Sequence, residues 1–460
     1  MSKTLTCISP IDGSIYAERS ALTLDAARSA VAAARAAQAD WAARPLQERI
    51  DLVRAGVAAV GAMNDQIVPE LAHMMGRPVR YGGEFGGFDE RASHMADIAV
   101  DALAPIEVGE DDTFRRLIKR VPHGAVFVVA PWNYPYMTAI NTVAPALIAG
   151  NAVVLKHATQ TLLVGERMAE AFHSAGIPEA VFQNVFLDHD VTSDLIAGNA
   201  FDFINFTGSV GGGAAMERAA AGTFTGVGTE LGGKDPGYVM EDADLDAAVD
   251  TLIDGAMFNS GQCCCGIERI YVHESLFDAF LEKAVAIVKG YKLGNPLDPE
   301  TTLGPMANVR FADEVRAQIA ESVAEGATAH IETFAEDDGG AYLSPQILTG
   351  VTHEMRVMRD ESFGPVVGIM PVKDDEEAIS LMNDSEFGLT ASLWTRDVAR
   401  AERVGDRIET GTVFLNRADY LDPGLCWTGC KTTGRGGGLS VIGYHNLTRP
   451  KSYHLKKVTT

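Results

Sequence analysis

Basic side chains are scarce: 38 Lys and Arg stand against 62 Asp and Glu, a formal charge of -24 at pH 7. That average field repels nucleic-acid phosphates and anionic membrane surfaces, so neither is an expected partner, although a local basic pocket can still receive an anionic small molecule. Long apolar runs are missing as well; the longest are short and interrupted by polar residues or glycine, and none reads as a membrane span. The opening residues MSKTLTCISPIDG carry only Lys3 as a basic side chain and lack the apolar stretch of a secretory signal, which makes a cytoplasmic location the expectation. Cysteine is sparse too. Six in 460 residues, three of them consecutive at Cys263, Cys264 and Cys265, make a poor disulfide framework, and reduced thiols are expected. Adjacent side chains diverge, and no nearby Cys or His pair has structural-zinc spacing, so no metal site is expected.

What the chain does have is apolar content, 47% of residues, enough for a core divided between domains. Residues 21 to 60 read as two helices, the first up to Trp41 and the second with Val53, Val57 and Val60 on one face. From residue 124 the pattern becomes short apolar runs followed by helical or glycine-rich segments: 125–130, 152–155, 180–186 and 202–206. Such runs, rich in Val, Phe and Ile without alternation, suit strands covered on both faces, hence a parallel sheet with crossover helices. A second α/β unit begins after Gly232 and Gly233. Leu245, Val249, Leu252 and Ile253 recur at helical spacing, 269–272 reads as a strand, and Leu276, Phe277, Phe280 and Leu281 define the next helix. Further strands are expected at 366–370 and 412–415. The polar stretch 107–121 reads as extended, and 452–458 as an edge strand.

Several short segments can carry chemistry. Phe258-Asn259-Ser260-Gly261-Gln262 leads into the three cysteines; a thiolate is intrinsically nucleophilic and suits attack on a carbonyl, but the residues alone do not choose among the three thiols. In Thr229-Glu230-Leu231-Gly232-Gly233-Lys234 a carboxylate precedes a flexible turn and, beside an apolar channel, could activate water. Phe206-Thr207-Gly208-Ser209, followed by Gly211, Gly212 and Gly213, succeeds a strand and could present helix N-terminal amides to phosphate, without being the usual G-x-G-x-x-G fingerprint. Pro131-Trp132-Asn133-Tyr134-Pro135 also follows a strand and offers the Asn133 amide to a developing oxyanion. Lys156 follows the 152–155 run, from which it can reach a ribose or phosphate. Each has a plain alternative: a buried small thiol, a solvated carboxylate or lysine, a structural turn.

Taken in order, PWNYP, FTGS, ELGGK, FNSGQCCCG and ESFGP resemble the aldehyde dehydrogenase superfamily over nearly the whole chain, including the 34-residue separation of Glu230 from Cys264. The resemblance implies an α/β fold: a Rossmann-like cofactor domain at 1–101 and 123–232, an α/β catalytic domain at 233–447, and a small β oligomerisation element from 102–122 and 448–460 serving a homodimer or homotetramer. It implies Cys264 as nucleophile, Asn133 with the Cys264 backbone N–H as oxyanion donors, and Glu230 as the base that directs water onto a cysteine thioester. It implies NAD or NADP as cofactor, with Trp132, Lys156, Thr159, Gly208, Ser209, Gly213, Glu361 and Phe363 around it. Tyr134, Thr138, Asn141, Cys263, Cys265 and Trp427 correspond to the substrate tunnel, open to a small-molecule aldehyde that is polar or aromatic.

Departures from the family pattern leave specific choices. Where many NAD-preferring relatives carry glutamate, Thr159 removes a repulsion of the NADP 2'-phosphate, so the position admits either cofactor. Trp427 stands at the aromatic position of the segment usually written P-F-G-G-x-K, either lining the substrate entrance or filling core space. Arg417, near Tyr420 in a variable loop, could recognise a substrate carboxylate or simply be solvated. Glu230 favours hydrolysis over transfer to coenzyme A; a CoA-acylating enzyme and a retired binding protein are the alternatives.

Overall fold

The computed structural model describes residues 3–458; Met1, Ser2, Thr459 and Thr460, assigned above to the ends of the cofactor and oligomerisation segments, lie outside the described residues. The apolar runs form the centre of one sheet. Ala125–Ala130 and Ala152–His157 are buried at every position, as strands covered on both faces must be. The six-stranded sheet runs Gly434–Arg435, Gly226–Glu230, Phe203–Thr207, Ala125–Ala130, Ala152–His157, Phe182–Asn184. All neighbours are parallel except Gly434–Arg435. That short strand comes from the segment the sequence groups with 233–447. Thr433 brings it across: its carbonyl accepts the Leu231 N–H at 2.8 Å and its hydroxyl donates to the Gly232 carbonyl at 2.8 Å.

Strand order reverses at Ala125–Ala130: the chain first moves to Ala152–His157 and Phe182–Asn184, then returns to the other side for Phe203–Thr207 and Gly226–Glu230. A reversal of this kind opens a crevice at the carboxyl edge of a parallel sheet. Asn133, Lys156, Ser209 and Glu230 all follow or end strands at that edge.

The second sheet runs Thr328–Ala329, Gln346–Thr349, Val366–Val372, Ile267–His273, Asp235–Val239, Thr390–Trp394, Thr412–Leu415, parallel except at Thr328–Ala329. Four of its strands escape the sequence reading, Thr328–Ala329 and Gln346–Thr349 at one end of the sheet and two in its interior. Asp235–Val239 contains Pro236 and Gly237, poor strand formers, and Thr390–Trp394 opens on small and polar residues; both are buried throughout because flanking strands and helices enclose them. The expected 180–186 run contracts to Phe182–Asn184, and the hairpin Thr4–Ile8 with Ile15–Ser20 was not anticipated.

Helices Leu24–Ala43 and Leu46–Ala62 match the paired reading, with Val53, Val57 and Val60 buried. The extended 107–121 stretch is two strands, Ile106–Glu110 and Phe114–Pro122. The second pairs antiparallel with Thr448–Lys456 over nine positions, so the tail strand starts earlier than 452. Ile106, Val108 and Leu455 on this small sheet are exposed. Among the described residues no helix is long and apolar enough to cross a membrane.

Gly232 and Gly233 carry the chain from the carboxyl edge of the first sheet to the amino edge of the second. A Cβ on Gly232 would lie 2.0 Å from a Glu361 carboxylate oxygen, and one on Gly233 would lie 2.7 Å from the Cys264 carbonyl. Only glycine lets three chain segments approach so closely.

Candidate active site

The cysteine run sits on a tightly bent loop. Helix Leu245–Met257 ends, and Asn259, Ser260 and Gly261 then adopt left-handed backbone, with φ of 56°, 57° and 68°. A Cβ on Gly261 would lie 2.2 Å from the Gly364 carbonyl, so the loop packs flush against the segment around Glu361. The strain is held by side-chain bonds. Ser260 Oγ donates to the Gly304 carbonyl at 2.7 Å, and the Gln262 amide donates to the Asn259 carbonyl at 3.0 Å while accepting the Ala307 N–H at 2.7 Å. The thiols emerge just before strand Ile267–His273.

A cavity of about 320 Å³ opens over them, lined in part by Glu230, Thr207, Tyr134 and all three cysteines. Cys264 and Glu230 therefore face one space, although 34 residues separate them. Burial first, then the neighbouring Cys264, pushes the Glu230 carboxyl up to about 7. The Cys264 thiol is drawn well below the ordinary range by the flanking Cys263 and Cys265 thiols, with Arg91 acting in the same direction. A thiolate beside a carboxyl poised near neutrality is the pairing that acylation and water activation require.

Asn133 is buried and does not line the cavity; its Nδ2 donates to the Gln262 carbonyl at 3.3 Å, on the turn that carries Cys264. Its backbone is fixed by a residue the sequence reading missed. Arg77 donates to the Asn133 carbonyl at 2.7 Å and pairs with Glu84 at 2.6 Å, both fully inside the protein. The second Glu84 oxygen accepts the N–H groups of Tyr136 and Met137, at 2.9 and 2.7 Å, and so caps helix Pro135–Ile148. The buried pair Lys234–Glu268, at 2.6 Å, was also missed. Glu268 accepts the Ser362 and Phe363 N–H groups at 2.8 and 2.9 Å and pins the loop carrying Glu361. Neither pair has a local signature, since each partner is an ordinary charged residue until folding brings the other to it.

On the cofactor side, Lys156 is buried at the end of strand Ala152–His157 and makes no ion pair among the described residues; burial lowers its affinity for a proton. Thr159 opens the next turn, partly exposed. Ser209 caps helix Val210–Ala220 by accepting the Gly212 N–H at 3.2 Å. Gly208 and Gly213 abut Phe206 and Leu231, where a Cβ would come within 2.8 and 2.7 Å. A buried lysine without an ion pair among the described residues and a helix start at the same edge of the sheet match a phosphate-bearing dinucleotide. The Glu361 carboxylate accepts the Gly233 N–H at 3.1 Å, and burial followed by the nearby Glu268 pushes it up to about 8. Trp132 stacks on Phe311 at 5.3 Å and meets Phe363 edge-on at 5.5 Å. The donor set thus fits a nicotinamide dinucleotide.

The tunnel residues divide. Tyr134, Thr138, Cys263, Cys265 and Trp427 line the cavity, Trp427 while also belonging to the core. Thr138 returns its hydroxyl to the Tyr134 carbonyl, so it adds little polarity. Asn141 does not line the cavity: it is buried on its helix and lies 3.4 Å from Arg91 Nη1. Arg417 is exposed, stacked 3.5 Å over the Tyr420 ring, and is not a cavity residue. The guanidinium that does reach the cavity is Arg91, on helix Phe85–Ala102, a residue with no motif to announce it.

The three cysteines line one cavity rather than turning to separate surroundings. Cys263 and Cys265, two apart, bring their sulfurs to 3.6 Å, and the Asp419 carboxylate accepts from both, at 3.2 and 2.9 Å. No metal site was expected, on the divergence of adjacent side chains and the lack of a zinc-spaced pair, yet these three groups lie close enough together to hold an ion.

Comparison with known proteins agrees with this architecture. The model of the aldehyde dehydrogenase family matches residues 1–453. A succinate semialdehyde dehydrogenase [NAD(P)+] of Escherichia coli K12 is 32% identical over 426 residues, 92% of each chain. Betaine aldehyde dehydrogenase 2 of Rhizobium meliloti is 31% identical over 455 residues, 98% of this chain and 94% of its own. The crystal structure of a succinate-semialdehyde dehydrogenase from Burkholderia pseudomallei superposes with a TM-score of 0.94 at 30% identity, covering 98% of this chain and 94% of that one.

Proposed function

Because the chain belongs to the aldehyde dehydrogenase family, we propose that Cys264 is its nucleophile, Glu230 its hydrolytic base and Asn133 its oxyanion donor, acting on an aldehyde that carries a carboxylate. The protein is an NAD(P)-dependent enzyme that oxidises an aldehyde to a carboxylic acid through a covalent cysteine intermediate. The observation that carries the assignment of Cys264 and Glu230 is the shared cavity, in which a thiol held below its ordinary range faces a carboxyl pushed up to about 7, while Asn133, outside that lining, is assigned from its motif and its bond to the turn that carries Cys264.

In this reading the Cys264 thiolate adds to the aldehyde carbonyl, while the Asn133 amide and the Cys264 backbone N–H hold the negative oxygen. The nicotinamide cofactor, when bound, accepts the hydride that leaves the former aldehyde carbon. Lys156 and the amides after Ser209 would hold its phosphate and ribose groups, with Glu361 and Trp132 toward the nicotinamide end. Glu230 then takes a proton from water, whose oxygen attacks the thioester, and the acid departs as the thiol is restored. An enzyme that passed its acyl group to coenzyme A would have no use for that base.

Arg91 supports the carboxylate. It is 8% exposed and lines the cavity; Nη1 donates to the Met137 carbonyl at 2.9 Å, and Nε has no partner. Among the described residues it makes no ion pair, and a buried guanidinium without a counter-ion is costly. A substrate carboxylate supplies the missing charge. By its name the Escherichia coli relative acts on such an aldehyde, whereas the Rhizobium relative acts on a cationic one. Glu90, Asp254 and Trp427 also line the cavity, but two of its aromatic rings are not free to cage a cation. The Tyr134 and Tyr420 rings already have guanidinium groups over them, Arg77 at 4.7 Å and Arg417 at 3.5 Å, and Asp419 is engaged by two thiols.

The test compares succinate semialdehyde, butanal and betaine aldehyde in wild type and Arg91→Gln. The substitution lowers kcat/KM for the carboxylate substrate roughly 10- to 100-fold more than for butanal, the worth of a charged hydrogen bond, while any loss shared by both substrates reports the influence of Arg91 on the Cys264 thiol. Equal losses on both substrates, or a wild-type preference for betaine aldehyde, would refute the assignment.

The small three-stranded sheet, with exposed Ile106, Val108 and Leu455, supports assembly as a homodimer or homotetramer through this element. The same division makes 1–101 with 123–232 the cofactor domain and 233–447 the catalytic domain. Six free thiols support a cytoplasmic location.

A further inference from the structure

We propose that Cys263, Cys265 and Asp419 form a zinc-binding site in the wall of the substrate cavity, through which Zn²⁺ reversibly blocks the enzyme. The argument starts from geometry. Zinc holds thiolate sulfur at about 2.3 Å and carboxylate oxygen at about 2.0–2.2 Å in a tetrahedron, which sets the sulfur–sulfur edge at roughly 3.8 Å and each sulfur–oxygen edge at roughly 3.5 Å. The corresponding separations here are 3.6 Å for the two sulfurs and 3.2 and 2.9 Å from them to Asp419 Oδ1. Expansion by about 0.2 Å between the sulfurs and about 0.3 and 0.6 Å between sulfur and oxygen admits the ion, a movement that side-chain torsions can supply without moving the backbone.

Chemistry favours the same reading. Two thiols with one carboxylate is a soft-to-borderline donor set that suits Zn²⁺ and is poor for Mg²⁺ or Ca²⁺. Asp419 makes no ion pair among the described residues, and its hydrogen-bond partners are two weak S–H donors. An enclosed carboxylate with such partners is under-compensated, and a cation between the three groups satisfies it. All three side chains line the cavity, so a bound ion keeps its fourth position open toward water or substrate. Binding exchanges two S–H protons for two Zn–S bonds, releases those protons, and changes no oxidation state.

Cys264 lines the same cavity but is not one of the compact set, which comprises its two neighbours and Asp419. Metal captured by these three therefore obstructs the approach to the nucleophile without being bound to it. The metal site itself depends on neither the substrate class nor the catalytic assignments, whereas the block of the enzyme rests on Cys264 as nucleophile.

The test uses Co²⁺ as a spectroscopic probe, with Zn²⁺ competing, on the reduced full-length protein. Cys264→Ala is expected to bind one Co²⁺ per chain with sulfur-to-cobalt charge-transfer absorption and tetrahedral visible bands, which Zn²⁺ removes and EDTA abolishes. Cys263→Ser and Cys265→Ser each lose the charge-transfer signal at least tenfold in affinity, and Asp419→Asn weakens binding while keeping both sulfur bands. Wild-type aldehyde oxidation falls on adding Zn²⁺ and returns with EDTA. Charge transfer that disappears in Cys264→Ala, or that persists in Cys263→Ser and Cys265→Ser, overturns the proposal by placing the metal on the nucleophile or elsewhere. Circular dichroism of each variant separates loss of ligation from loss of fold, and Asp419→Asn, which spares both thiols, gives an independent answer.

Discussion

Replacing Glu230 by glutamine separates the two halves of the proposed reaction. The amide keeps the shape of the side chain and can still meet Thr207, whose hydroxyl lies 3.4 Å from the carboxylate, but it cannot take a proton from water. Acylation does not use Glu230, so a rapid-mixing experiment should show one equivalent of reduced cofactor per active site. Steady-state acid formation should then fall by about 10²- to 10⁴-fold, the usual worth of a general base. In the wild type the deacylation rate should climb with pH through about 7, as the carboxyl loses its proton; in the variant that rise disappears.

Stability provides a second readout of the same group. The folded carboxyl is raised from 4.5 to about 7. At 1.36 kcal/mol per pKa unit, holding it ionised in the cavity costs at most about 3 kcal/mol. The sign follows from linkage: a carboxyl raised on folding costs nothing below its unfolded pKa, the cost grows as pH rises from 4.5 to 7, and it is complete above. Glu230→Gln should therefore raise the urea midpoint at pH 8 and leave it unchanged near pH 4. Normal steady-state turnover in the variant would remove Glu230 from the mechanism, and an equal stability change at both pH values would show that its carboxyl is not perturbed.

Other perturbations test the surrounding construction. Cys264→Ala should abolish both the burst and turnover, whereas Cys263→Ala and Cys265→Ala should each retain a first hydride transfer; the reverse pattern in rapid mixing would move the nucleophile. Arg77→Met should lower stability in urea by about 3–5 kcal/mol, because it leaves the Glu84 carboxylate buried without its partner. Thr159→Glu should reduce affinity for NADP by about tenfold or more while sparing NAD, since it adds an anion beside the expected 2'-phosphate position; fluorescence titration with both cofactors measures the ratio.

Much of the fold was legible because two-sided burial leaves a mark in the sequence. Ala125–Ala130 and Ala152–His157 are apolar enough to be read directly, and Val53, Val57 and Val60 repeat with the helix period. Asp235–Val239 was not legible, since Pro236 and Gly237 speak against a strand and only enclosure by its neighbours makes it one. The cavity shows the same split. Cys264 and Glu230 could be named from their motifs, but Arg91 belongs to a helix whose local sequence gives no sign that one of its cations faces inward without a partner. Arg417, the guanidinium closer to a recognisable segment, spends its charge on the face of Tyr420 instead.

Sequence alone determined the chemistry on offer: a thiol, a carboxylate, an amide and glycine turns in an order characteristic of one family, with apolar runs sufficient to build parallel sheets. These are local properties, fixed by residue type and spacing. Tertiary structure decided which groups share a space and what charge they carry. The carboxyl edge of one sheet abuts the amino edge of the other, bringing Glu230 to Cys264, Glu361 to Gly233 and Asp419 to two thiols 154 and 156 residues away. Burial and electrostatic coupling depend on distances through space, and those distances exist only after the chain has folded.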